Sequence, residues 1–246
     1  RTGNGYVYSS ADISDDEAAG TLLANLDGEA LADPRVLRFK AGKREQAWAH
    51  NCIGMGLAGG FLEPLESTSI YLVQMAIMHM LTLMPAERAI DPALPCEFNR
   101  VMDVEYDRIR DFLILHYIAN EPDAPLWERV TAADVPDTLA DKIDRFRHRG
   151  HVQAYRDGLF GPPSWQAVFV GQGIKPRAAD RLPDVLPAAT VDERLANLAA
   201  TIADAAATLP SHADFIARYC PAPAPWPVRS SRSSSMAAGV RRGRRG

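Results

Sequence analysis

Cysteine is scarce in this sequence: only Cys52, Cys96 and Cys220 occur among 246 residues. Their number is odd and their spacing is wide, and no Cys-x-x-Cys or Cys/His pattern with the spacing of a metal site is present. The sequence therefore predicts neither a disulfide framework nor a zinc site, and we expect no bound metal. Unpaired cysteines favour a reducing, cytoplasmic location.

Long apolar runs are missing as well, and we expect no secretory leader. No stretch of about 18 or more apolar residues occurs, which is roughly the length that a membrane-spanning helix needs. The first residues lack the basic and apolar regions of a signal peptide. We therefore expect no membrane association.

The main body of the chain lacks an excess of basic charge. The net charge is −4, but six arginines and no acidic residue lie in residues 229–246, so removing them leaves −10 for residues 1–228. Nucleic-acid binding needs a basic face to contact phosphates. The acidic body therefore argues against a nucleic-acid partner, and we interpret the Arg/Ser/Gly tail as a solvated, disordered end.

Hydrophobic periodicity predicts a mostly helical α+β fold with a few strands near the start of the chain. Ser14 with Glu17 three residues later is the pattern of a capping box, so a helix is expected to begin there. Strands are predicted at residues 36–40 and 46–53, joined by a turn at Gly42 and Lys43. Helices are expected at about residues 14–26, 67–84, 97–117, 138–149, 162–173 and 191–208.

Gly54, Gly56 and Gly59 match the string Gly-x-Gly-x-x-Gly. A dinucleotide site also needs a helix that begins within the motif and an acidic residue about 20 positions later. Gly60 and Pro64 interrupt such a helix, and the acidic residue is absent. We therefore interpret these glycines as a place where the backbone passes close to something flat or bulky.

The stretch "GFLEPLESTSIYLVQM", residues 60–75, places two glutamates and three hydroxyl residues before a long apolar run. Pro64 is excluded from a helix interior, so a helix is expected to begin after it, with Glu66, Ser67 and Thr68 at its start. Two interpretations stay open. Glu66 and Ser67 either cap a buried helix, or the free amides of its first turn bind an anion while the carboxylate has a separate role.

Several segments resemble the flavin-dependent tryptophan halogenases, over residues 1 to about 182. These segments are "GNGYVYSS" (3–10), "EALADPRVLRFKAGKREQAW" (29–48), "GFLEPLESTSI" (60–70), "IRDFLILHY" (109–117) and "SWQAVFVGQGIKP" (164–176). The Glu-Ser-Thr segment is the most specific of them.

The resemblance implies an enzyme in which reduced FAD and oxygen form a flavin hydroperoxide, from which a halide generates hypohalous acid. A separate flavin reductase supplies FADH2, and the oxidant halogenates tryptophan or another indole-like arene. By resemblance Glu66 is the catalytic glutamate, which positions the activated halogen, helps to take the ring proton and offers its carbonyl to the indole N–H. The backbone amides of Thr68 and Ser69 are expected to bind the halide, and Ile70 and Gly60 to contact the flavin.

Other residues receive expectations by the same resemblance. Tyr155, Phe160 and Trp165 are candidates for stacking on the substrate, with a place in the core as the alternative for each. Glu63 is interpreted as a structural carboxylate. His116 is interpreted as a packed or hydrogen-bonded core histidine rather than a catalyst.

The resemblance also implies what this chain does not carry. The flavin fingerprint, an essential lysine and a Trp-x-Trp-x-Ile-Pro motif of the family would all precede Arg1. We therefore expect the C-terminal half of such an enzyme, with residues 1–66 from the flavin-binding sheet region, 67–220 as a helical substrate-side region and 221–246 as the tail. Alternatives are an inactive fragment that serves as a binding or scaffold piece, and a flavin monooxygenase that uses no halide.

Overall fold

The fold is mostly helical, with four short strands near the N-terminus, which confirms the predicted α+β class. A computed structural model describes residues 3–119, 124–156, 158–178 and 180–221. Apart from Pro221, the predicted disordered tail lies outside these residues. The chain divides into two units, residues 1–181 and 182–246. The predicted division at residue 66 stays a prediction.

The first unit contains six helices and four strands among the residues described. They are α1 (Asp15–Ala24), β1 (Gly42–Lys43), β2 (Trp48–Ala49), β3 (Cys52–Ile53), β4 (Gly60–Phe61), α2 (Ser69–Thr82), α3 (Ala93–Ile118), α4 (Pro125–Thr131), α5 (Asp137–Arg149) and α6 (Pro162–Gly171). Five of these six helices were predicted, although α3 begins four residues before its predicted start, and α4 was not predicted. The Ser14 hydroxyl accepts a hydrogen bond from the Glu17 amide at 3.2 Å, so the predicted cap of α1 is confirmed.

The strand predictions are wrong in detail. Residues 36–40 form no strand, and the expected turn at Gly42 and Lys43 is β1, which pairs antiparallel with β4. The run 46–53 is a hairpin of β2 and β3 rather than one strand. His50, in its turn, has a φ of 53°, a left-handed conformation that histidine and asparagine tolerate better than most residues. Two-residue strands are too short to show a period in the sequence.

A helix side chain completes the open edge of this hairpin. The Asn99 amide on α3 accepts from the Trp48 backbone N–H at 2.8 Å and donates to the Trp48 carbonyl at 2.9 Å. Both backbone groups of Trp48 are therefore paired, as an adjacent strand would pair them. This double hydrogen bond fixes β2 on α3.

Helix α3 organises the core of the first unit. It spans 26 residues and contacts α2, β2, α4, α5 and α6. Its apolar face enters two clusters in turn. The first core cluster contains Trp48, Leu72, Ala76, Phe98, Met102, Tyr106, Ile109 and Leu113. The second core cluster contains Phe112, Leu115, Leu139, Ile143, Phe146, Trp165 and Phe169.

A buried ion pair joins α3 to α5. Asp111 is 1% exposed, and its carboxylate contacts the Lys142 ammonium at 2.5 Å and the Arg110 guanidinium at 2.9 Å. A carboxylate removed from water needs such partners, because without them its desolvation costs roughly several kcal/mol. Lys142 and Arg110 supply these partners for Asp111.

Helix α2 is less buried than its composition predicts. Leu72 and Ala76 are its only fully buried residues, and both belong to the first core cluster. An apolar face stays exposed on the same helix, formed by Ile70, Ile77, Met78 and Leu81, with Met84 just beyond its end. The long apolar run of this helix is therefore only partly buried.

The second unit contains α7 (Ala188–Thr208) and α8 (His212–Tyr219). The Ser211 hydroxyl caps α8 by accepting from the Asp214 amide at 3.2 Å. Neither helix has a fully buried residue.

The described ranges lack membrane-spanning helices and clustered metal ligands. None of their helices combines the length and apolarity needed to cross a bilayer. They also contain no group of three histidine, cysteine, aspartate or glutamate side chains placed to hold a metal ion.

Replacing Lys142 by methionine tests the buried ion pair. The Asp111 carboxylate would keep only Arg110, and breaking a buried pair costs about 3 kcal/mol or more. We expect the free energy of unfolding, measured by denaturant titration, to fall by about 3 kcal/mol. The control is Arg145→Met, which breaks an exposed pair with Asp141 on the same helix and should cost below about 1 kcal/mol. Equal losses in the two variants would contradict the assignment.

Candidate active site

The chain makes a tight turn between β4 and α2. Pro64 begins a 3-10 turn, Leu65–Ser67, and α2 follows directly. Two consecutive residues of this turn, Glu66 and Ser67, have φ values of 63° and 52°. For residues other than glycine this left-handed conformation costs about 1–2 kcal/mol each. Neighbouring contacts must therefore hold the turn in place.

The interpretation of Glu66 and Ser67 as helix caps is wrong. Thr68 occupies the N-cap position of α2, and no side chain makes a capping hydrogen bond there. The Thr68 side chain is itself buried, with 1% of the residue exposed. The first turn of α2 therefore presents amides that no side chain caps, together with the positive end of the helix dipole.

The glycines before this turn have packing reasons of their own. A side chain on Gly54 would meet the Ala58 carbonyl oxygen at 2.9 Å, and one on Gly59 would meet the Gly54 oxygen at 2.6 Å. At Gly60 it would meet the Lys43 Cα at 2.8 Å. The close approach predicted for these glycines is thus to the protein's own backbone. The flavin contact expected of Gly60 stays a prediction.

The Glu66 side chain reaches helix α3. Its Oε1 atom lies 3.1 Å from Nε2 of His116, and the glutamate side chain is 35% exposed. On the other side of the imidazole, Nδ1 lies 2.8 Å from the carbonyl oxygen of Phe112. His116 is hydrogen-bonded in its helix, as expected, but its contact with the proposed catalytic glutamate was not predicted.

Glu63 is held by the next residue of α3. The Tyr117 hydroxyl donates to Glu63 Oε2 at 2.7 Å, which agrees with a structural role for this carboxylate. Burial, followed by the hydrogen bond to Glu63 and the charge of that carboxylate, raises the pKa of Tyr117. The buried Oε1 atom of Glu63 has no hydrogen-bond partner among the described residues.

Two consecutive residues near the end of α3 therefore contact the two glutamates, Glu66 and Glu63. His116 contacts Glu66 and Tyr117 contacts Glu63. We call these four residues the glutamate clamp. The pairs are separated by about 50 positions in the sequence, so local pattern did not reveal them. The available signal was a polar-tipped pair, His-Tyr, at the end of a long apolar helix face.

Aromatic rings connect the clamp to α6. The Phe112 ring contacts the His116 imidazole edge-on, with centroids 4.9 Å apart, and stacks on Phe160 at 3.9 Å. It also meets Trp165 edge-on at 5.0 Å. Trp165 is 3% exposed and belongs to the second core cluster. The structure thus brings Phe160 and Trp165 within one ring of His116.

Tyr155 lies near Trp165. The Arg108 guanidinium is 4.1 Å from the centroid of the Tyr155 ring. Two cavities of about 10 Å³ each are lined by both Tyr155 and Trp165. A space of that size holds about one water molecule, which is far smaller than an indole ring. The substrate contacts of Tyr155, Phe160 and Trp165 therefore stay predictions.

Comparison with known proteins gives one consistent family. The family model described as tryptophan halogenase matches residues 1–188. The chain is 34% identical to the tryptophan 6-halogenase SttH of Streptomyces toxytricini over 226 residues, which cover 88% of this chain and 42% of that protein. It is 30% identical to the tryptophan 7-halogenase RebH of Lentzea aerocolonigenes, covering 88% of this chain and 44% of that protein.

Solved structures agree with this match. A flavin-dependent halogenase from Xanthomonas campestris superposes with a TM-score of 0.84 at 42% identity, over 89% of this chain and 44% of that one. A flavin-dependent halogenase from Brevundimonas sp. BAL3 gives a TM-score of 0.79 at 42% identity, over 85% and 43%. The chain spans less than half the length of each of these relatives.

Replacing Ser67 by glycine tests the left-handed turn. Glycine adopts a positive φ without steric cost, although it loses more entropy on folding. We expect a net gain of about 0.5–1 kcal/mol in the free energy of unfolding, measured by denaturant titration. The matched control is Ser69→Gly two residues later, at the first position of α2, where glycine should cost about 0.5–1 kcal/mol. A loss of stability at both positions would sink the prediction.

Replacing Tyr117 by phenylalanine tests the Glu63 half of the clamp. An unfolded tyrosine loses its proton at about pH 10, whereas its raised pKa keeps Tyr117 protonated in the folded chain. This difference stabilises the fold fully below about pH 10, and the contribution is lost as the pH rises further. We expect Tyr117→Phe to flatten the fall in unfolding free energy above about pH 10, and to cost about 1–2 kcal/mol at neutral pH, where Glu63 loses its donor. Identical alkaline slopes would count against this assignment.

Proposed function

The chain belongs to the tryptophan halogenase family, and we propose that it forms the substrate-side part of an FADH2-dependent halogenase acting on tryptophan or another indole-like arene. The observation that carries this proposal is the placement of Glu66. Its carboxylate is anchored by His116 at 3.1 Å, directly before the uncapped start of α2. Glu66, proposed as the base, and the start of α2, proposed to bind an anion, are thus neighbours.

Glu66 is proposed as the catalytic carboxylate. Its side chain is 35% exposed, so it can reach a small molecule outside the core. In an electrophilic aromatic substitution the ring carbon that gains a halogen must lose a proton. A carboxylate within hydrogen-bonding reach of that carbon can accept the proton, or orient the electrophilic halogen before it reacts.

The start of α2 is proposed as the halide site. Thr68 and Ser69 begin the helix, and no side chain caps their end of it. Because the Thr68 side chain is buried, a halide would meet backbone amides and the helix dipole, which favour an anion. Serine rather than a smaller residue at position 69 is compatible with this role, since the contact is through the main chain.

The same helix end fits one edge of a flavin. When bound, reduced FAD with oxygen and halide supplies the electrophilic halogen, and a flavin reductase would deliver it in reduced form. Ile70, the second residue of α2, is 72% exposed, so its backbone and side chain are open to a flat ring system. Gly60 fits less well, because its place in β4 already explains the lack of a side chain.

The substrate is proposed to be an indole-like arene. The names of several relatives specify tryptophan, and indole or a tryptophan derivative has the same electron-rich ring. Phe160, stacked on Phe112, is the best placed of the candidate aromatic residues, because it is half-buried and one ring removed from His116. Tyr155 and Trp165 would contact the substrate only if the small cavities between them open.

A fusion protein tests this function. This chain is joined to the part of the Xanthomonas campestris halogenase that the match does not cover, and halogenated product is measured with FADH2, oxygen, bromide or chloride, and indole or tryptophan. Glu66→Gln should lower turnover by about 100-fold or more. The control, Glu45→Gln at an exposed position, should retain activity.

Each outcome of this experiment selects one interpretation. Full turnover in Glu66→Gln would refute the assigned role of Glu66. A hydroxylated product that forms without halide would support the monooxygenase alternative. A folded, flavin-binding fusion that gives no product would favour the non-catalytic alternative.

A further inference from the structure

The proton count at the His116–Glu66 contact is informative. Nδ1 of His116 lies 2.8 Å from the carbonyl oxygen of Phe112, and a carbonyl only accepts hydrogen bonds, so this nitrogen carries a proton. Nε2 lies 3.1 Å from Glu66 Oε1. Two atoms at that distance that both lacked a proton would repel each other through their lone pairs. Nε2 therefore faces Oε1 at ion-pair distance, and a proton on Nε2 would join the two atoms.

This imidazole is fixed on its other sides. The Phe112 ring meets it edge-on at an interplanar angle of 81°, and the Phe112 carbonyl sets the direction of Nδ1. Phe112 is 2% exposed and belongs to the second core cluster. The orientation of Nε2 is therefore set by the core rather than by solvent.

Glu66 has few other restraints. Its backbone is in the left-handed conformation, and a glutamate side chain gives up about 1.5–2 kcal/mol of rotamer entropy when it is fixed. Its Oε1 atom faces His116, and the side chain is 35% exposed. One oxygen is thus anchored on a side chain that stays partly exposed.

From this geometry, and resting on the proposed function, we propose that His116 is the positioning residue for Glu66. It binds Oε1 and keeps the lone pairs of Oε2 directed away from α3, toward the reacting ring. The contact also sets which oxygen reacts, because Oε1 already faces Nε2 of His116.

The proton transfer balances with this arrangement. The halogenated ring carbon releases its proton to Oε2, and the C–H electron pair returns to the aromatic ring. Glu66 is neutralised by this proton, so the His116–Glu66 pair has gained one proton. The positive charge lost by the ring intermediate is the charge gained by the His116–Glu66 pair.

Two amide substitutions of His116 separate this role from a structural one. The amide nitrogen of His116→Gln reaches the position of Nε2 and can donate to Glu66. That of His116→Asn reaches only the position of Nδ1 and can donate to the Phe112 carbonyl. A structural role in α3 would be preserved better by asparagine, whereas positioning of Glu66 would be preserved better by glutamine.

The first measurement uses the 246-residue chain itself. Carbon-13 NMR of the glutamate carboxyl groups should show a change in the Glu66 resonance in His116→Asn and a smaller one in His116→Gln. The Glu63 resonance, which reports the neighbouring Tyr117 contact, serves as the internal control and should stay in place. An unchanged Glu66 resonance in His116→Asn would overturn the proposal without any need for activity.

The second measurement uses the fusion protein described above. We expect His116→Asn to lower kcat by about 100-fold, the effect of a misplaced catalytic group, with KM near the wild-type value. His116→Gln should stay within roughly tenfold of wild type, because its amide nitrogen can still donate to Glu66. Equal activity of the two variants in an active fusion would overturn the role of His116 alone. A wild-type fusion without product would overturn the proposed function, and the role of His116 with it.

Discussion

The burial of one face of α3 is the constraint on which the rest of the first unit depends. A 26-residue helix is about 39 Å long, and this one supplies Phe98, Met102 and Ile109 to one core cluster and Phe112 and Leu115 to the next. Full burial of each such side chain contributes about 1.5–3 kcal/mol. Elements β2, α2, α4, α5 and α6 each contact this helix, so its position sets theirs.

The candidate site takes its geometry from the same helix. His116 and Tyr117 follow Phe112 and Leu115 by one turn or less, so their side chains are placed by residues that the core holds. They in turn contact a turn whose backbone is unfavourable for glutamate and serine. A conformation that costs about 1–3 kcal/mol per residue persists only where its surroundings determine it. The packed core therefore fixes α3, and the side chains of α3 in turn fix the carboxylates of Glu63 and Glu66.

Most of the helices were predictable because their signals are local. Ser14 with Glu17 marks the start of α1, and Pro64 marks a point after which α2 must begin. The strands were not, because each is two residues long and is defined by its partner. The exposure of Ile70 and Leu81 was not predictable either. The sequence shows that a helix face is apolar, but it does not show whether another part of the protein packs against that face.

The site could be predicted only in part for the same reason. Resemblance identified Glu66 and the start of α2, since those residues are adjacent in sequence. The left-handed backbone of Glu66 and Ser67 could not be predicted from residue type, because neither residue is glycine. The His116 contact joins positions 50 residues apart, and Trp165 could not be separated from a surface aromatic until its packing against Phe112 was known.

The Asn99–Trp48 contact has a consequence for the solution behaviour of the chain. A hairpin edge normally offers a donor and an acceptor that another molecule can pair with, which is how strands seed association. Asn99 presents the complementary pair from a helix, so the Trp48 position of this edge is occupied by a group that cannot propagate a sheet. The Asn99 carboxamide thus blocks further β-pairing at Trp48, and it lies on the same helix that organises the core.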